Sequence, residues 1–297
     1  MILLKRRHLQ VHSKTNFMKV TLITGASGGI GEVFARRLAE EKHNLVLVAR
    51  SEEKLSELCN ELMGKHEIMA HYVAIDLKDF EADGRLYDET EKHGLEVDWL
   101  INNAGFGSMG NFARLELKNE LEMIDLNISA LVALTHRYLQ KMRECKSGTI
   151  INVASTAGFQ PVPFMATYAA TKAFVKSFSE AIAEENRLFN ITVTALCPGP
   201  TDTNFFDAAN IGTDAKNAFL KKGMQTPEAV VEAALRAVER RKSSVISGWS
   251  NYLSARLGNF VPNSIITRAV GSVLRPKFEE KQFENANGEN NTLIDKK

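Results

Sequence analysis

The stretch "KVTLITGASGGIGEVFARRLAEE", Lys19 to Glu41, decides how the rest of the chain is read. Its first six residues are mostly apolar or β-branched with little alternation, which suits a strand buried on both faces of a parallel sheet. From Ile30 onward, Ile30, Val33, Phe34 and Leu38 recur at helical spacing and form one apolar stripe. Glycines between strand and helix permit a tight turn and close backbone approach. The free amides and dipole of the helix N-terminus then favour an anionic pyrophosphate. Gly25, Ser27, Gly29, Ile30 and Gly31 are therefore candidate dinucleotide contacts. Their spacing is not G-x-G-x-x-G, and a glycine turn by itself also serves as a plain strand-to-helix connection.

Further apolar runs of similar length occur along the chain: "NLVLVA", "MAHYVAI", "VDWLI", "GTIINVA", "ITVTALC" and, in "RKSSVISG", a last strand. Amphipathic stretches separate them, so the fold class is α/β, a single-domain doubly wound parallel sheet. No repeat or linker interrupts the pattern, and residues 18–248 read as one dinucleotide-binding domain. Residues 1–17 read as an N-terminal extension, basic and free of acids as in an organellar transit peptide but with an apolar run too short for a secretory signal, and Met18 offers an alternative start of translation. Residues 249–278 read as a C-terminal helical extension and the polar, Asn-rich residues 279–297 as a disordered tail. With Lys+Arg 37 against Asp+Glu 36, the net charge of +1 offers no global field for nucleic acid. Cys59, Cys145 and Cys197 are too few and too scattered for a disulfide framework or a zinc site, which suits a reducing, cytoplasmic setting and no metal.

In open parallel sheets, ligands bind beyond the carboxyl ends of the strands. There the second strand ends in Ala49-Arg50, with no acid at its tip. A guanidinium pairs with a 2′-phosphate that a carboxylate would repel, so Arg50 favours NADP over NAD. Glu52 and Glu53 nearby keep open the reading of a solvated arginine. Asp76 ends the third strand, placed to accept from an adenine amino group or to cap a helix. Asn102, Asn103 and Ser155 end the fourth and fifth strands, and "CPGPTDT" comes after the sixth. Tyr168 and Lys172, four residues apart in "TYAATKAF", share one face of a helix. An ammonium beside a phenol stabilises phenolate and lowers its pKa from about 10.

These motifs, in this order, resemble the short-chain dehydrogenase/reductase family over roughly Lys19 to Gly248: "TGASGGIG", "NNAG", Ser155 before "YAATK", and "PG" before Thr203. The resemblance implies a Rossmann-type sheet of about seven strands in the order 3-2-1-4-5-6-7. It implies Tyr168 as general acid/base, Lys172 as its activator and ribose ligand, Ser155 as the donor to the substrate oxygen, and Asn127 as the continuation of a proton relay. Asn102, Ala104 and Gly105 match the supporting turn, with Asn103 a further coenzyme contact. Asp76 matches the adenine ligand, and Pro198, Gly199 and Thr203 the loop around the nicotinamide. The details look most similar to bacterial hydroxysteroid and long-chain 3-oxoacyl-CoA reductases. That implies NADPH-dependent interconversion of a carbonyl and a secondary alcohol on a hydrophobic or lipid-like small molecule, in a homodimer or homotetramer.

The chain departs from the family pattern at two points. The glycine loop carries no basic residue, leaving cofactor choice to Arg50, and about fifty residues extend past the last strand where shorter members end. Phe106, Phe159, Phe164, Phe205 and Phe206 are candidates for an apolar pocket or for ordinary core. Between Glu239 and Glu279 there is no acid, so residues 249–278 can cap the body or a neighbouring subunit, or lie on an anionic membrane. The competing classes are a non-catalytic NADP-binding sensor or scaffold, which would have no need of Ser155, Tyr168 and Lys172 together, and a dehydrogenase of small hydroxy compounds.

Overall fold

The computed structural model describes residues 17–203, 205, 224–258, 260–276 and 278. Its strands are β1 (Met18–Thr24), β2 (Leu45–Ala49), β3 (Ala70–Ala74), β4 (Leu95–Asn102), β5 (Gly148–Val153), β6 (Ile191–Cys197) and β7 (Ser244–Ile246). They form one seven-stranded sheet in the order β3-β2-β1-β4-β5-β6-β7, every pair parallel. This is the strand order that the sequence implied. The chain leaves β3 and crosses back over β1 to enter β4, so the order reverses between β1 and β4, and a crevice opens at their carboxyl ends.

The helices are α1 (Gly29–Glu40), α2 (Glu52–His66), α3 (Ala82–Lys92), α4 (Leu117–Ile124), α5 (Leu131–Cys145), α6 (Ala166–Asn186), α7 (Pro227–Glu239) and α8 (Trp249–Gly258). Residues 263–276 are also helical and are called α9. Leu45 and Leu47 pack with Phe34 and Leu38 of α1, Leu58 of α2 and Val231 of α7. Val46 and Val48 turn to the opposite face, with Leu86 of α3, Tyr138 of α5 and Ile182 of α6. Both faces of β2 are covered, which is why the run is apolar at every position.

Asp125–Ala130 form a π segment between α4 and α5. Such a segment inserts an extra residue into the ladder and rotates the turns after it, and it is common at functional sites. Asn127 lies within it. At the start of α7, Thr226 accepts a hydrogen bond from the Ala229 amide at 3.2 Å, with Pro227 in the first turn. A cap with proline next to it is an ordinary way to begin a helix. No described helix is long and apolar enough to cross a membrane.

Candidate active site

The glycine loop is held closed by Asn103. Its side chain donates to the carbonyls of Thr24 at 2.9 Å and Gly25 at 3.2 Å, while the amides of Asn103 and Ala104 donate to the Thr24 hydroxyl, both at 3.0 Å. The tip of β4 is thereby tied to the tip of β1, and no side chain fits between them. A Cβ on Gly31 would collide with the Gly25 carbonyl oxygen, and one on Gly25 would lie 2.9 Å from Asn103 Nδ2. Gly25 also has φ of +67°, which favours glycine.

A cavity of about 630 Å³ opens beside this loop, lined by Gly25, Ser27, Gly29, Ile30 and Arg50 and by Asn103, Ala104 and Gly105. Ser155, Tyr168 and Lys172 also line it, as do Pro198, Gly199 and Thr203, the last beside Gly29. Beyond β5 and β6 the two chains stay joined by Ala154 N to Leu196 O at 2.7 Å and Thr156 N to Pro198 O at 2.9 Å. Those bonds set Ser155 beside the Pro198 loop.

The residues fit a dinucleotide. Gly28 precedes α1 without a side-chain cap, and a Cβ there would meet nothing within 4 Å. The first-turn amides thus remain available to an anion. Arg50 is joined on the cavity wall by Lys54, one turn into α2, which the sequence reading missed. The signal was its spacing of four residues from Arg50, masked by the intervening glutamates. Glu52 and Glu53 are exposed and do not line the cavity, and Glu52 instead accepts from the Tyr72 hydroxyl at 3.3 Å.

Four residues singled out in the sequence lie elsewhere. Gly31 sits behind the loop, where its role is close packing. Asp76 does not line the cavity. Its carboxylate accepts from the Lys78 amide at 3.1 Å and lies 3.8 Å from the Lys78 ammonium, and α3 begins only at Ala82, so it caps a turn and no helix. Asn102, expected on the rim, is buried and donates to Thr135 at 3.0 Å and Asn152 at 2.8 Å, joining β4 to α5 and β5. Asn127 is buried behind the wall. Its amide donates to Phe106 O at 3.0 Å and Thr171 Oγ1 at 3.1 Å, and its carbonyl accepts from Phe106 N at 3.1 Å. Thr171 in turn donates to Tyr168 O at 2.8 Å, so Asn127 links the Phe106 loop to the helix bearing Tyr168 and Lys172.

Tyr168 and Lys172 face each other in the interior, with the ammonium 5.8 Å from the ring centre and donating to Val153 O at 2.8 Å. The expectation that Lys172 lowers the Tyr168 pKa is not met here. Burial pushes Tyr168 up to about 12, with a hydrogen bond to Ser155 pulling the other way. Burial also pulls Lys172 down to about 8. Loss of solvent sets both directions, because each charged form gives up water on burial. At neutral pH the phenol keeps its proton and the amine its charge.

Of the five phenylalanines, Phe106 and Phe205 line the cavity, and Phe205 lies 5.3 Å from the Tyr168 ring. Phe159 packs toward the core with Val175 and Ala195. Phe164 stacks on Phe278 at 5.0 Å, and Phe206 lies outside the described residues. Asn251, Ser254 and Ala255 of α8 complete the wall, so the C-terminal extension takes part in the site. Among the described residues, one cluster of potential metal ligands occurs at the opposite sheet edge: His71, Glu89 and His93, with ligand atoms within 4.8 Å of one another. Glu89 Oε1 is hydrogen-bonded to His93 Nε2 at 2.8 Å, and the Lys92 ammonium lies 3.3 Å from the other carboxylate oxygen.

Residues 19–214 match the family described as short chain dehydrogenase. The chain belongs to that family. This short-chain dehydrogenase is 30% identical over 279 residues to ketoacyl reductase HetN of Nostoc sp., covering 90% of this chain and 93% of that protein. It is 32% identical over 233 residues to a 7beta-hydroxysteroid dehydrogenase of Mediterraneibacter gnavus, covering 78% and 87%. Among solved structures it resembles a short-chain dehydrogenase from Sphingobium yanoikuyae in complex with NADPH. The TM-score is 0.72 with 30% identity, covering 82% of this chain and 95% of that one. Membership makes the protein an oxidoreductase with a dinucleotide-binding fold that acts on small molecules.

Proposed function

We propose that this short-chain dehydrogenase reduces the carbonyl of a hydrophobic small molecule with NADPH, and that Tyr168 supplies the proton. The observation that carries the reading is the convergence of Ser155, Tyr168 and Lys172 on one cavity that also contains the glycine loop. A nicotinamide coenzyme, when bound, supplies the hydride. Hydride addition turns the carbonyl into an alkoxide. Ser155 can donate to that oxygen as its charge grows, while Tyr168, which keeps its proton up to about pH 12, releases it there. Lys172, charged at neutral pH, stabilises the phenolate left behind.

Arg50 and Lys54 on the same wall favour a 2′-phosphate, hence NADPH over NADH. Phe106, Met165 and Phe205 form an apolar side. The relatives named ketoacyl reductase and 7beta-hydroxysteroid dehydrogenase point to the same substrate class. The test is NADPH oxidation across aldehydes, ketones, 3-oxoacyl thioesters and steroids by the protein and by Tyr168→Phe. The variant is expected to bind NADPH within about threefold of the original and to lose at least ~100-fold in kcat. Retained turnover would move the proton donor elsewhere.

A further inference from the structure

The outer surface of the C-terminal helices has the reverse of the usual pattern for a helix facing water. On α8, Asn251, Ser254 and Ala255 line the cavity, whereas Trp249, Leu253 and Leu257 are 77%, 46% and 56% exposed. Trp249 stacks on Tyr252 at 5.7 Å, and the Arg256 guanidinium lies 5.5 Å from the Tyr252 ring, so two aromatics and a cation form one outward ladder. The same holds beyond α8. Ile266 approaches Gly258 of α8, and Leu274 packs with Met109 and Phe205. Phe260, Ile265 and Val273 are 85%, 56% and 66% exposed. Single exposed apolar residues are ordinary, but six large ones on two neighbouring helices and their connection are not.

Charge indicates what covers this surface. No acid occurs between Glu239 and Glu279, and Arg256, Arg268 and Arg275 are all exposed on the two helices. A symmetric contact with a second copy would set this acid-free surface against itself. A bilayer containing anionic lipid offers phosphates to the arginines, an interfacial layer that suits Trp and Tyr, and an acyl boundary for the leucines. We propose that residues 249–276 dock this protein on an anionic membrane surface. The contact is peripheral, since no described helix can span. It stands on the surface alone, whether or not the proposed reaction holds. It also has a bearing on that reaction, because α8 presents one side to lipid and the other to the cavity.

The experiment is co-sedimentation of the full chain with phosphatidylglycerol–phosphatidylcholine vesicles and with phosphatidylcholine vesicles, at low and high salt. Pelleting is expected with the anionic vesicles at low salt and at least ~10-fold weaker partition in the other conditions. Two variants carry the assignment to the surface: Trp249→Ser/Leu253→Ser/Leu257→Ser and Arg256→Glu/Arg268→Glu. Removing two basic residues alone is worth roughly 30-fold in partition, and reversing them more. Both variants should keep the original melting temperature, and Leu188→Ser, at an exposed leucine outside this surface, should sediment like the original. Three results would each overturn the proposal. One is no pelleting with anionic vesicles at low salt, and another is pelleting that survives both variants. The third is a change of oligomeric mass in the variants without lipid, which would make this face a contact between copies.

Discussion

Lys172 shows how a single buried charge sets both stability and chemistry. An ordinary lysine ionises near 10.5, and burial pulls this one to about 8, so the folded protein holds that proton less tightly than the unfolded chain. Folding is therefore penalised while Lys172 is charged, and the penalty fades as pH rises from about 8 toward 10.5. Lys172→Met has no such penalty. Between pH 7 and pH 9 the original protein should gain about 1 kcal/mol relative to the variant, read as a narrowing difference in melting temperature. A constant difference would mean that the ammonium is better solvated than its burial implies. Tyr168 does not confuse the comparison, because its proton stays bound throughout that range in both states. Lys54 is the second residue to test. Lys54→Ala should weaken NADPH by about tenfold and NADH hardly at all, as loss of one charge-assisted contact to a phosphate would. Equal weakening of both would remove Lys54 from coenzyme choice.

At the scale of elements, the junction of β1, α1 and the tip of β4 depends on atoms that are missing. Gly31→Ala would push a methyl into the Gly25 carbonyl and to 2.5 Å from Asn103 Nδ2, and neither is the free end of a flexible chain. The expected cost is about 1–3 kcal/mol of stability, with NADPH affinity lowered at least ~10-fold because α1 must move off the loop. Melting curves and fluorescence titration read the two effects. A stable variant with normal affinity would show that the junction yields more easily than its contacts imply. The π segment explains a second dependence. Asp125–Ala130 turns Asn127 inward to Phe106 and Thr171, so the helical run from α4 to α5 carries a buried polar anchor.

For the whole molecule, the glycine loop, the β4 tip, the Ser155 turn, α6 and α8 all contribute to one cavity, so a ligand there ties together segments from Gly25 to Ala255. NADPH at 100 times its dissociation constant should add about 2.7 kcal/mol. For a chain of 297 residues that raises the melting temperature by roughly 4 °C. NADH at the same concentration should raise it less. No shift with either coenzyme would overturn the reading at the glycine loop.

The sheet was legible in the sequence because its central strands are apolar runs of five to eight residues, rich in Val, Ile and Leu, that alternate with amphipathic stretches, a pattern that local chemistry dictates. Strand order, the glycine loop and the ordered motifs ending in Tyr168 and Lys172 came from that pattern and from the family resemblance. Features that depend on distance in space were not legible. Arg50 was visible, but Lys54 on the same wall was hidden by Glu52 and Glu53, which do not line the cavity. Asn102 and Asn103 are adjacent in the chain, yet a strand sends successive side chains to opposite sides, so one entered the core and the other closed the loop. The ionisation of Tyr168 came from its burial, which spacing from Lys172 does not report. The sequence by itself determined the architecture and the residue types at the site. Only the tertiary structure decided which of them share the cavity and at what charge, because packing sets both solvent access and distance.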